Sequence, residues 1–153
     1  MIEIRRQVET DWPIEQVANY LCDFTTAAAW DPRMVRCLRL DFGALRVGSE
    51  FDIVQRRGRL RSPSRYQVID LDPGRSITLR SSTRAIECTD TMTFEAASSG
   101  GTTVTYETSV RFKGLAKAGE SMMRTVVNRI GDDIAAGMSQ VLAHLDATTH
   151  SVA

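Results

Sequence analysis

The sequence predicts an α+β fold: a seven-stranded curved antiparallel sheet, in the order β-α-α-β6-α, wrapped around a long C-terminal helix. Three observations lead there. An amphipathic helical stretch follows one short alternating segment near the N-terminus. From Met34 to Phe112 the apolar residues recur with period two, punctuated by Gly and Pro. From Leu115 to about Ala147 the helical period returns and is sustained. A large antiparallel sheet curls because its strands twist, and its concave face must be covered. One long helix covers such a face without filling it, so an internal hydrophobic cavity is expected.

Each element has its own cause. In "IEIRRQVET", Ile2, Ile4 and Val8 alternate with Glu3, Arg5 and Glu9, a half-buried strand. Asp11 is the expected N-cap of the next element, with Pro13 just inside the helix. Ile14, Val17, Ala18, Leu21 and Cys22 then share one helical face. "TTAAAW" predicts a second short helix, ended by Pro32 because the residue before a proline is pushed out of the α region. The two short helices are expected to plug one end of the cavity, with Trp30 where the chain returns to the sheet.

Six strands follow in series: "MVRCLRLDF", "SEFDIVQRR", "RLRSPSRYQVIDL", "RSITLRSST", "AIECTDTMTFEA" and "TTVTYETSVRFK". The turns between them are short, so neighbours run antiparallel. "DPG" supplies proline for a fixed φ and glycine for a positive one. In the last helix Met123, Val127, Ile130, Ile134, Met138, Val141 and Leu145 step by three and four. At ~1.5 Å per residue this helix runs roughly 45 Å, enough to cross the sheet. Small residues, Gly131 and Gly137, let it approach the sheet or leave room for a ligand. The chain reads as a single domain over 1–148 with a C-terminal tail over 149–153.

Composition excludes several functions. The 153 residues carry 19 basic and 19 acidic side chains, so no net field favours nucleic acid or a membrane. Cys22, Cys37 and Cys88 are odd in number and widely spaced, against a disulfide framework or a zinc site. Glu3, Arg5 and Arg6 interrupt any signal peptide, and no apolar run reaches the ~18 residues of a membrane span. A cytoplasmic, soluble protein is expected. His144 and His150 are the only histidines, both at the C-terminal end, so a histidine metal site or a Ser-His-Asp triad lacks material. No G-x-G-x-x-G, P-loop or G-x-S-x-G motif occurs. No cofactor or metal is expected. "RRGRLRSPSR", with Arg56, Arg57, Arg59, Arg61 and Arg65, lacks the aromatics that would stack nucleic-acid bases, and reads as a solvated hairpin whose charges do not affect the cavity.

The order of elements, with several motifs, resembles the SRPBCC or START-like helix-grip superfamily, closest to its small bacterial polyketide cyclase/dehydrase and lipid-transport members. The carriers are "PIEQVANYLCDFTTAAAWDP", "VGSEFDI", "YQVIDLDPGRSITL", "DTMTFE", "TTVTYETSVRFKG" and "NRIGDDIAAGMSQVL". The family's aromatic after the helix valine is Ala18 here, and Tyr20 stands two positions later. The resemblance implies a cavity for a hydrophobic small molecule, lipid or polyketide-like, and allows cyclase or dehydratase chemistry.

Strand alternation orders the candidate residues. Ile86, Cys88, Asp90, Met92 and Phe94 share one face, as do Val104, Tyr106, Thr108, Val110 and Phe112, and Tyr66 with Val68. The expected ligand-binding set is Trp30, Tyr66, Cys88, Asp90, Met92, Phe94, Tyr106, Thr108, Met123, Val127 and Ile130. Asp90 is the most informative: a carboxylate on an apolar face acts as a general base of raised pKa, anchors a ligand hydroxyl, or pairs with an arginine. Tyr66 and Tyr106 are the other acid–base candidates. Cys88 has no neighbour that would make it a thiolate. Three functions remain open at this point: a carrier or sensor of a hydrophobic small molecule, a cyclase/dehydratase-type enzyme, and a protein-interaction module using the arginine hairpin. The protein is expected to be a monomer or homodimer, without nucleic acid and without stable membrane insertion.

Overall fold

The computed structural model describes residues 1–149, with side chains through residue 144. The strands are β1 (Ile2–Thr10), β2 (Met34–Arg39), β3 (Glu50–Arg57), β4 (Leu60–Asp72), β5 (Ser76–Ser82), β6 (Ile86–Ala96) and β7 (Thr102–Phe112). They form one seven-stranded sheet in the order β1-β7-β6-β5-β4-β3-β2, every pair antiparallel. The helices are α1 (Ile14–Cys22), α2 (Ala27–Trp30) and the 30-residue α3 (Glu120–Thr149). This is the predicted α+β order. Side-chain placement at Leu145, and the tail from residue 150 with His150, lie outside the described residues.

The local differences have simple causes. Pro13, not Asp11, is the residue before α1: its extended backbone leaves its carbonyl to accept from the amides of Gln16 and Val17, at 3.1 and 3.2 Å. "TTAAAW" divides into a 3-10 turn over Phe24–Thr26 and the four-residue α2, because Asp23 Oδ1 accepts from both the amide and the hydroxyl of Thr25 and tightens the first turn. The helix expected from Leu115 begins as a 3-10 turn over Gly114–Gly119, and α3 proper starts at Glu120. β2 stops at Arg39 rather than Phe42, which is 93% exposed. Pro63 lies within β4 without penalty. That half of β4 pairs only with β3, since pairing to β5 begins at Gln67, so no partner awaits the missing N–H.

The main core fills the end of the sheet covered by α1, α2 and the middle of α3. Val17, Leu21, Phe24, Trp30, Phe51, Met92, Phe94, Ile134, Met138 and Leu142 belong to it. Phe24 packs edge-on to Trp30 and Phe51, with ring centroids 5.9 and 5.6 Å apart. A second, smaller cluster of Ile2, Ile4, Val110, Phe112 and Val127 lies under the start of α3. The α3 glycines serve two different contacts. A Cβ on Gly131 would collide with the Ile4 side chain of the sheet, and one on Gly137 with the Trp30 carbonyl. Gly137 therefore lets α3 press on the end of α2 rather than on the sheet.

Candidate functional site

Where the two clusters leave the interior unfilled there is a cavity of about 420 Å³. Its apolar wall is Ile86, Val110 and Phe112 from the sheet and Met123, Val126, Val127 and Ile130 from α3. The sheet residues are there by alternation: Ile86 pairs with Phe112, Cys88 with Val110 and Asp90 with Thr108 across β6 and β7. The exposed lining residues mark the opening. They are Arg56, Arg57 and Gly58 at the β3–β4 hairpin, with Met123 and Val126 on α3.

The polar end gathers Arg33, Gln55, Tyr66, Cys88, Asp90, Tyr106 and Thr108. Asp90 is 9% exposed and accepts a hydrogen bond from the Tyr106 hydroxyl at 3.1 Å. Burial raises its pKa above the ordinary 3.8, against the hydroxyls of Thr108, Tyr106 and Tyr66 and the charge of Arg33, which favour the carboxylate. Both tyrosines are pushed well above 10 by burial first and by the Asp90 charge second. They are hydrogen-bond donors, not phenolates. Burial, with Asp90 beside it, pushes Cys88 up to about 11, so it is a thiol without nucleophilic activation.

Arg33 is placed by the turn after α2. The Asp31 carboxylate is almost fully buried and accepts from Arg33 Nε at 3.2 Å, Nη2 at 2.9 Å and the Arg33 amide at 2.9 Å. This two-pronged pair fixes the guanidinium plane. Desolvation disfavours the Arg33 charge, but Asp31 outweighs it and the group stays cationic.

Eight of the eleven residues expected at the site line this cavity: Tyr66, Cys88, Asp90, Tyr106, Thr108, Met123, Val127 and Ile130. Trp30, Met92 and Phe94 do not. They are 2, 1 and 3% exposed within the main core, and the Trp30 indole donates to Thr26 Oγ1 at 3.3 Å. Their strand or helix faces inward, but at the end that α1 and α2 fill. The arginine hairpin also needs correction. Arg56 and Arg57 line the cavity rather than standing apart from it: the inward face of β3 runs Phe51, Ile53, Gln55, Arg57 and carries past the packed core, and Arg56 joins it where the strand turns at Gly58. Alternation in "FDIVQRR" was a sufficient signal for Gln55 and Arg57. Arg33 had none, since a turn rather than a period places it. Among the described residues no group of three or more His, Cys, Asp or Glu is gathered as a metal centre requires.

A curved antiparallel sheet gripping one long helix around a partly polar cavity defines the helix-grip class. Over residues 1–147 the chain matches the family described as polyketide cyclase / dehydrase and lipid transport, and it belongs to that family. The Zhui aromatase/cyclase from Streptomyces sp. R1128 superposes with a TM-score of 0.76 at 14% identity, covering 93% of each chain. A START superfamily protein from Mycobacterium smegmatis superposes at 0.78 with 12% identity, covering 94% of this chain and 98% of that one. At such identities the likeness is one of fold. No curated protein matches the sequence. Among the described residues no helix is long and apolar enough to cross a membrane.

Proposed function

We propose that this protein encloses a hydrophobic small molecule, lipid or polyketide-like, in the cavity and acts as its cytoplasmic carrier or sensor. The supporting observation is the cavity itself: about 420 Å³, apolar on the α3 side and polar at one end, as small-molecule sites generally are. Membership of the family agrees with that reading. The test is fluorescence titration with the neutral probe N-phenyl-1-naphthylamine, together with native mass spectrometry of gently purified protein. Saturable probe binding, competed by a co-purifying hydrophobe, is expected. A protein that binds neither probe nor lipid extract would sink the proposal.

One observation favours a second reading, a cyclase/dehydratase-type enzyme. Asp90 is buried in the cavity, its pKa is raised, and Tyr106 donates to it at 3.1 Å. Such a carboxylate suits proton transfer on a bound carbonyl compound. If Asp90 is the base, Asp90→Asn lowers turnover by roughly 100-fold or more while binding persists. Unchanged turnover removes Asp90 from that role.

A further inference from the structure

The polar end of the cavity is unbalanced in its hydrogen bonding. Its carboxylates are engaged: both Asp31 oxygens accept from Arg33, and Asp90 Oδ1 accepts from Tyr106. Apart from the Arg33 groups held by Asp31, its cationic and amide donors are not. Among the described residues nothing accepts from Arg33 Nη1 or from the Arg57 guanidinium, although both residues line the cavity. Gln55 is the third such donor. Its side chain lines the cavity, the residue is 8% exposed, and its amide has no partner among the described residues. The amide meets the cavity space rather than packed protein, so it is free to pair with whatever fills that space, and covering it with a group that offers no partner would cost about 1–3 kcal/mol.

The charges point the same way. Asp31 neutralises Arg33, and Arg56 and Arg57 then outnumber the single lining carboxylate, Asp90. Gln55 and Arg57 stand two apart on the inward face of β3, and Met34, next to Arg33, pairs with Gln55 across the β2–β3 ladder. Gln55 and Arg33 therefore belong to the polar end of the cavity, and Arg57 follows Gln55 along the same strand face toward the opening.

We infer that the molecule held in the cavity is an amphiphile with a carboxylate head, its oxygens accepting from Gln55, Arg33 and Arg57 and its apolar tail lying along Val127 and Ile130. This rests on the cavity-binding reading and specifies its ligand. A carboxylate suits the donor set better than a phosphate monoester: one charged edge, one amide and one partly solvated guanidinium match two oxygens, and a dianion would leave an oxygen facing the apolar wall. An alcohol would accept from one donor only. An amine would meet like charge.

The experiment is displacement of bound N-phenyl-1-naphthylamine by decanoate, decanol, decylamine and decyl phosphate. Decanoate is expected to compete at roughly tenfold lower concentration than the other three, the scale of one charge-assisted hydrogen bond. Gln55→Leu and Arg57→Gln are each expected to erase most of that preference, read as the ratio of decanoate to decanol competition on the same variant so that any change in the probe's own affinity cancels. Arg57 is exposed, so its variant reports even if Gln55→Leu disturbs folding. Equal competition by decanoate and decanol, tighter binding of decyl phosphate, or a preference that survives both substitutions overturns the carboxylate inference while cavity binding stands. Failure to bind the neutral probe overturns both.

Discussion

On β6, Met92 and Phe94 are 1 and 3% exposed inside the main core, whereas Cys88 and Ile86, on the same face of the same strand, line a cavity. The strand does not change character between them. What changes is the cover. At the packed end α1, α2 and the buried Ile134, Met138 and Leu142 of α3 press down together, and Gly137 allows contact with the Trp30 carbonyl. At the hollow end α3 covers the sheet alone, with only Val127 deeply buried among its lining residues. One helix cannot fill the width of a curled seven-stranded sheet, so the place where the short helices stop is where the cavity begins.

The contrast is broken most severely by truncation. Phe51 is fully buried and packs against Phe24, so Phe51→Ala is expected to cost about 3–5 kcal/mol. Ile130→Ala, which only enlarges an existing space, is expected to cost about 1 kcal/mol. Urea unfolding measures both. Equal losses would mean that the two ends are packed alike.

Enlargement sharpens the comparison from the other side. Met92→Trp has no room and is expected to lose about 1–3 kcal/mol or more. Met123, at 36% exposure beside the opening, is expected to accept tryptophan within about 0.5 kcal/mol, while the filled variant no longer takes up the neutral probe. A Met123→Trp protein that melts much earlier than the wild type would show a closed core in place of the cavity.

The smallest effect is electrostatic. The folded-state pKa of Asp90 lies above 3.8, its value in an unfolded chain. Between the two values the folded state holds a proton that the unfolded state has lost, so stability falls as pH rises through that window and is level beyond it. At pH below 3.8 both states are protonated and Asp90 costs nothing. Asp90→Asn keeps an acceptor for Tyr106 and removes the titration. The variant should gain on the wild type as pH climbs from about 3.8, read from unfolding curves at successive pH values. Parallel pH profiles would show that burial does not disfavour the Asp90 charge.

Much of this was legible in the chain. Period two placed Asp90, Tyr106 and Thr108 on inward faces, and period 3.6 placed Val127, Ile130 and Ile134 on one side of α3, because side-chain direction follows from backbone geometry alone. Alternation says which way a residue points and not what it meets. Trp30, Met92 and Phe94 point inward as expected and meet the core instead of the cavity, since the helices that decide this come from residues 14–30, far away in the sequence. Arg33 shows the opposite case. No period marks it, and its position depends on Asp31 being buried, which is a consequence of α2 docking on α3.

The sequence by itself thus determined the element order, the antiparallel sheet and the inward sets, all of them products of local periodicity and turn chemistry. Only the tertiary structure decided where the interior is filled, which donors are left without acceptors, and that Arg57 stands over the opening. Those are properties of volume and of contact between segments distant in the chain, and neither is encoded in the order of residues along any one of them.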